Sequence, residues 1–433
     1  MLPPDFAIKG VDVWNARGVS SSVDVFVASG VVDKIVPTGS SALPKAVFEG
    51  NKGALVPSGV DLQVHIRTPG QYHKETPATA SRSALRGGYA ALLAMPNTFP
   101  VVDCVPVLRR CLFEYAPCEE QFGVKILQSA AVSMGLKGLK AVDFKALANE
   151  GAAALTDDGL PVVNDELMLD AYRASIETGL IVLQHAEWPG HGGALCKGPT
   201  QTKLGIAEYP RDAESKCVER DLNLLKKLPK ARYHVLHVTT KRSVELIEQA
   251  KNDGLQVTAE VSPHHLYFCN EDIPLDNTNF KMNPPLFLSE DREFLRNAVK
   301  RGVFDFVATD HAPHEDYGKS KGFALAPFGT TGLESSFRTL LEMMKQGFIR
   351  SPEHLVELFS LAPARQMGLD SSGWGQIAPG QPLRAALWDV GAPEAPIELA
   401  ELESLSKNNI FLGTKLPGRI KAHFTPAGLF NFA

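Results

Sequence analysis

Five residues of metal-binding type lie far apart in this chain but recur at one kind of place. His65, Asp158, His185, His237 and Asp310 are separated by 93, 27, 52 and 73 positions, and each follows an apolar, β-rich run. Imidazole nitrogen with carboxylate oxygen favours zinc, and the same set could hold manganese, iron or cobalt. The set exceeds what one tetrahedral ion needs, so a two-metal site bridged by a carboxylate is the economical reading. Such a site activates water near neutral pH and polarises a carbonyl, which is the chemistry of making or breaking an amide-like bond.

The stretch GVDLQVHIRTPG (59–70) contains the first of them. Alternate residues of a strand share a face, so Asp61, Gln63 and His65 point one way and Leu62, Val64 and Ile66 the other. A histidine at position 63 would complete a pair with His65. Glutamine stands there instead.

For these residues to meet, the runs that deliver them must converge. Eight runs can be counted, near 54–66, 88–95, 122–131, 151–156, 180–185, 233–238, 255–261 and 303–309. Helical periodicity separates them, as in Asp165–Thr178 after the N-cap candidate Asn164, and in Ser243–Asn252. Strands alternating with helices imply right-handed crossovers and a parallel sheet, and eight repeats imply a closed α/β barrel of the TIM type. The C-terminal ends of its strands share one mouth. Singly, each His or Asp is more often structural than a ligand; five at strand ends reverse that balance.

The flanks differ. Residues 1–53 hold short runs broken by Gly, Asn and Ser, and 375–433 holds QIAPG, AALWDV, NIFLG and GRIKAHF. Both read as hairpins of one small β domain, with the barrel spanning 54–374. Ser351-Pro352 reads as a helix start. Two long connections, Pro263–Glu290 and His311–Gly332, leave the expected mouth and have the length of binding loops.

The remaining composition narrows the class. Hydrophobic residues make up 44% of the chain and charged residues 21%, the balance of a globular protein with a large core. With net charge −5 and its densest basic run, KKLPKAR, interrupted by Pro229, the chain offers no nucleic-acid footprint. No run approaches the roughly 18 apolar residues of a membrane span, and MLPPDFAIKG does not read as a leader, so a cytoplasmic protein is expected. Six cysteines without a CxxC read as reduced, buried thiols.

Against this reading, VDLQVHIRTPG, HKET (73–76), AMPNT (94–98), LTDDG (155–159), QHAE (184–187), LHVTTK (236–241), VSPHHL (261–266), MNPPL (282–286), ATDHAPH (308–314) and GFALAPFGTTGLES resemble dihydroorotase motifs of the amidohydrolase superfamily, in order along nearly the whole chain. The resemblance implies interconversion of N-carbamoyl-L-aspartate and L-dihydroorotate in pyrimidine biosynthesis, with one or two zinc ions. It implies His65 and Asp310 at one metal, His185 and His237 at the other, and Asp158 as the bridge where some members carry a carboxylated lysine. Asp310 would shuttle the proton; Arg67, Asn97 and His314 would bind the substrate carboxylate; Asn283 and the Phe323–Gly329 loop would read the ring. A homo-oligomer, and aspartate transcarbamoylase as a partner, are further expectations. Gln63 replaces the first histidine of the family's HxH pair, which raises a second reading, a catalytically silent subunit that supports the transcarbamoylase. A third is another cyclic amidohydrolase, such as an allantoinase or hydantoinase.

Overall fold

Ser58 divides the apolar run 54–66 into two strands that belong to different sheets. In the computed structural model, which describes residue 3 and residues 5–432, Ala54–Pro57 pairs with Asp12–Val13 on one side and Ala385–Trp388 on the other. Gly59–Val64 instead pairs in parallel with Tyr89–Ala94. The boundary expected at residue 54 therefore lies at Ser58. Both strands are buried on both faces, so their composition is equally apolar and the break carries no polar signal. Gly59 allows the crossing: a Cβ there would sit 2.5 Å from the Phe359 ring and 2.6 Å from that of Tyr89.

From Gly59 the barrel strands follow in order: Tyr89–Ala94, Lys125–Gln128, Ala154–Leu155, Ile181–Gln184, Tyr233–Val235, Val257–Val261 and Phe306–Val307. Each is parallel to the one before. Single bridges complete the circuit, Ala130 with Leu155 between the third and fourth strands and Val64 with His311 between the first and the end of the eighth. The result is the expected eight-stranded α/β barrel. Asp165–Thr178 is helical with Asn164 Oδ1 accepting from Leu167 N at 3.1 Å. Lys241–Asn252 starts two residues earlier than its periodicity suggests, because Thr240 supplies the cap. Ser351 caps Pro352–Val356.

The β domain is an eight-stranded sheet built from both ends of the chain. Asp5–Asn15 pairs with Gly18–Ala28, which pairs with Val31–Pro37; Ala385–Asp389, Arg419–Thr425 and Gly428–Asn431 extend the other side. NIFLG (409–413) is not one of its strands. The segment from Ile397 to Leu416 leaves the sheet, and Ile397, Leu402, Ile410, Phe411 and Leu416 pack against Phe280, Met282 and Phe323 of the two long barrel loops. Its apolar residues pack between the loops, and its own short pairing, Ala395–Pro396 with Lys415–Leu416, is separate from the main sheet.

His423 joins the two units. Its Nδ1 donates to Leu85 O at 3.0 Å and its Nε2 accepts from Ser58 Oγ at 2.7 Å. Burial pulls this imidazole down to about 4, with the Leu85 carbonyl acting in the opposite direction, so it is neutral in the fold. The unfolded chain binds its proton below pH of about 6.5. Stability contributed by the neutral ring is therefore present above that pH and is lost as pH falls toward 4, by about 3 kcal/mol when complete. Denaturant titrations from pH 7 to 4 are expected to show a steeper stability loss in the native protein than in His423→Gln; equal slopes would contradict this role.

Candidate metal centre

Three strand ends bend sharply where they deliver site residues. Arg67, His237 and Asp310 have φ of 60°, 29° and 48°, in the left-handed region that costs a residue with a Cβ about 1–3 kcal/mol. The turn takes each side chain off the strand's alternation and toward the mouth. There a cavity of about 340 Å³ is lined by His65, Arg67, Asn97, Asp158, His185, His237, Asn283, Asp310 and His314, with Pro327, Phe328 and Gly329 forming another wall. The nine His, Asp, Arg and Asn residues singled out in the sequence thus face one space, whereas of the Phe323–Gly329 loop only Pro327, Phe328 and Gly329 do, Phe323 packing instead among Phe280, Met282 and Phe411.

Within it, Asp158, His185 and His237 each present one ligand atom within 4.8 Å of the others, all buried. His185 Nε2 is 3.0 Å from Glu187 Oε2, which fixes the proton there and leaves Nδ1 as a lone pair. That Nδ1 lies 2.9 Å from His237 Nε2 and 4.0 Å from Asp158 Oδ1. His65 is arranged in the opposite sense: Nδ1 donates to Asn97 Oδ1 at 2.9 Å, and Nε2 faces Asp310 Oδ1 at 3.1 Å and Asp158 Oδ2 at 3.3 Å. Asn97 also donates to the Asp158 carbonyl at 3.2 Å. His65 and Asp310 therefore form a second locus on the far oxygen of Asp158.

The donors fit a divalent cation. Burial pushes the Asp158 carboxyl up against the pull of His65 and His185, and burial with the neighbouring His185 pushes His237 well down. Against the effect of burial, the Glu187 carboxylate and the charge of Asp158 push His185 up, and imidazole nitrogens with carboxylate oxygens are the ligand types zinc takes. The fit is poorer at Gln63. Its Nε2 donates to Asp158 Oδ1 at 3.1 Å while its buried Oε1 has no partner. The residue thus turns a hydrogen-bond donor, not a lone pair, toward Asp158 and leaves an acceptor orphaned.

Arg67 and His314 pair elsewhere on the cavity wall. Arg67 Nε donates to Pro313 O at 3.2 Å and Nη2 to His314 Nε2 at 3.1 Å. Burial lowers the guanidinium to about 10, which leaves it cationic at neutral pH. Burial and Arg67 together hold His314 down to about 2. It is a neutral ring whose Nε2 accepts from Arg67, so its proton sits on Nδ1, a buried atom with no protein partner.

The family model described as Dihydro-orotase-like matches residues 53–243. A dihydroorotase from Bacillus caldolyticus is 36% identical over 412 residues, covering 93% of this chain and 94% of that protein. One from Geobacillus kaustophilus (strain HTA426) is 38% identical over 363 residues, 83% and 82% of the two chains. This chain belongs to the dihydroorotase family. Its members are metal-dependent cyclic amidohydrolases. The barrel with its β domain is shared more widely: the structure of an L-hydantoinase (dihydropyrimidinase) from Arthrobacter aurescens superposes with a TM-score of 0.86 at 21% identity, over 98% of this chain and 95% of that one.

Other histidines lie outside this dihydroorotase cavity. His234 is paired with Glu260 at 3.0 Å, His265 donates to Pro284 O at 3.1 Å, and His264 packs on His265 with ring centroids 4.2 Å apart. Asp157 turns away from the cavity: its carboxylate accepts from Val132 N at 2.7 Å, Ser133 N at 3.0 Å and the Ser133 hydroxyl.

Three residues support the cavity from behind, and two of them, Glu187 and Asn408, are not singled out by the sequence. Glu187 holds His185 and also accepts from Asn283 Nδ2 at 2.7 Å; its position two residues after His185 in QHAE was the available signal. Asn408 accepts from His314 N at 2.9 Å and donates to Ala312 O and Gly329 O, each at 3.1 Å. Nothing near it in sequence marks it. Glu75 of HKET, which with Lys74 reads in sequence as a helix-start ion pair or a loop anchor, is an anchor: it meets His311 Nε2 at 3.3 Å, Ser404 Oγ at 2.5 Å and Leu405 N at 3.1 Å. It ties the eighth strand to the C-terminal segment.

The adjacent aspartates are expected to separate cleanly. Asp157→Ala leaves buried N–H and O–H donors unpaired and should lower stability by roughly 2–4 kcal/mol while bound metal per chain is retained. Asp158→Ala should remove metal with a smaller stability change. Thermal unfolding with elemental analysis checks both; metal loss in Asp157→Ala would reverse the assignment.

Proposed function

We propose that the chain is a dihydroorotase, interconverting N-carbamoyl-L-aspartate and L-dihydroorotate in de novo pyrimidine synthesis. The observation that carries this reading is the single cavity that brings one side, Asp158, His185 and His237, together with another, the paired Arg67 and His314. A carbonyl to be attacked and a carboxylate to be held need these two sides. In this reading zinc is the metal, held by Asp158, His185 and His237, with a second ion at His65, Asp310 and the other Asp158 oxygen. When bound, it supplies Lewis acidity that polarises the amide carbonyl and eases deprotonation of the attacking water.

The chain's own groups do the rest. Arg67 is a cation already oriented by Pro313 O and His314, so it can pair with the substrate carboxylate at little cost in side-chain ordering. His314 Nδ1–H and the Asn97 amide complete the anion contact. In the hydrolytic direction Asp310 accepts the water proton at its carboxylate and returns it to the departing ring nitrogen; in cyclisation it takes the proton from the ureido nitrogen and returns it to the leaving oxygen. Asn283, steadied by Glu187, and the Pro327–Gly329 wall hold the ring. A cytoplasmic homo-oligomer, with aspartate transcarbamoylase as a possible partner, belongs to the same proposal.

Gln63 favours a second reading, a silent subunit, because its amide donates to Asp158 where a ligand would be expected. The allantoinase or hydantoinase reading leaves Arg67 and His314 without an anion. Purified, zinc-supplemented protein is expected to bind about one metal per chain and to hydrolyse dihydroorotate. Gln63→His should raise metal content toward two and activity by about tenfold, the equivalent of 1.4 kcal/mol. Less than one metal with no turnover would sink the dihydroorotase reading, and turnover of hydantoin alone would support the third.

A further inference from the structure

Lys319 lies in a loop rich in Gly and Lys, yet its side chain is buried, with 6% of the residue exposed. Its ammonium donates to Gly329 O at 2.8 Å, Pro327 O at 3.1 Å and Lys281 O at 3.4 Å. A lysine ammonium has three N–H donors and no acceptor, so three carbonyls satisfy it completely. Neither Lys319 nor Lys281 has a carboxylate partner among the described residues. Burial, and then the charge of Lys281, pull Lys319 down to about 7. Such a group persists only where the backbone around it is arranged to receive it.

The three carbonyls belong to two different parts of the cavity. Lys281 precedes Asn283 in the first long loop, whereas Pro327 and Gly329 form the cavity wall in the second. Further bonds link the same pieces: Gly329 N donates to Lys281 O at 2.9 Å, Thr278 Oγ1 to Lys319 O at 2.6 Å, and Lys281 Nζ to Ala324 O at 2.9 Å. Lys281 Nζ also stands 4.7 Å from the centroid of the Phe328 ring. The ammonium of Lys319 is the point at which the loops converge.

We propose that Lys319 is a positioning residue, fixing the separation between the Asn283 loop and the Pro327–Gly329 wall and thereby how tightly the substrate ring is held. The substrate named here rests on the dihydroorotase reading; the clamp itself does not. Methionine at 319 keeps the length and removes all three donors, whereas arginine keeps the charge but fans its donors in a plane that three converging carbonyls do not match.

The test uses metal-loaded full-length protein and its Lys319→Met and Lys319→Arg variants, read by steady-state kinetics with dihydroorotate, bound metal and amide hydrogen exchange. Lys319→Met is expected to raise KM tenfold or more with kcat within threefold and metal unchanged. Exchange in 278–284 and 322–329 should quicken at least tenfold while the barrel strands stay protected, with Lys319→Arg intermediate in both. Unchanged KM and exchange would overturn the proposal. So would parallel loss of kcat, metal and strand protection in both variants, which is what a general structural role predicts. If the native protein does not turn over dihydroorotate, the functional reading fails, whereas the clamp falls only if exchange in the two loops is unaltered.

Discussion

Two carboxylates, Asp158 and Asp310, share a buried cavity with His65, His185 and His237, and the rest of the structure is organised around keeping them there. Like charges in a low-dielectric space need compensation, which a divalent cation held by these residues would supply. The barrel makes the gathering possible because its closure brings residues 245 positions apart, His65 and Asp310, within 3.1 Å. Bends at Arg67, His237 and Asp310 then aim the side chains, and the hydrogen bonds of His65 to Asn97 and of His185 to Glu187 set which ring nitrogen is left to bind.

The mouth needs a second level of support, because loops of this length carry little order of their own. Glu75 fastens His311 to the C-terminal segment, Asn408 spans the Ala312–His314 turn and Gly329, and Lys319 joins the Lys281 and Pro327–Gly329 backbones. The segment 397–416 therefore belongs functionally to the barrel although it lies within the β-domain part of the sequence. These braces hold loops that carry cavity-lining groups, and none of the three lines the cavity itself.

The barrel and the His and Asp residues that line its cavity were legible in sequence because the fold writes them at one address: an apolar run ending in His or Asp. Asp158 could be told from Asp157 only through the family resemblance and its spacing to His185; structurally the difference is that Asp157 is consumed by the Val132 and Ser133 donors. The break at Ser58 was not legible, since a strand buried in a β domain and one buried in a barrel have the same composition. NIFLG looked like a strand because apolar packing between loops uses the same residues as a ladder. Asn408 and Lys319 were hidden for the reverse reason, as polar residues in polar segments whose burial comes only from elements distant in the chain.

Gln63 gives the centre an asymmetry that sets the account apart from a symmetric two-metal site. The ligand atoms of Asp158, His185 and His237 lie together within 4.8 Å, whereas Gln63, next to His65 on the same strand face, turns its amide onto Asp158 Oδ1 and offers no lone pair to the His65 and Asp310 side. Anomalous diffraction at the zinc edge from zinc-equilibrated crystals tests this directly. The account predicts a strong peak about 2.0–2.2 Å from His185, His237 and Asp158, with a weak peak or none beside Gln63. No peak at the first position, or two of equal height, would contradict it.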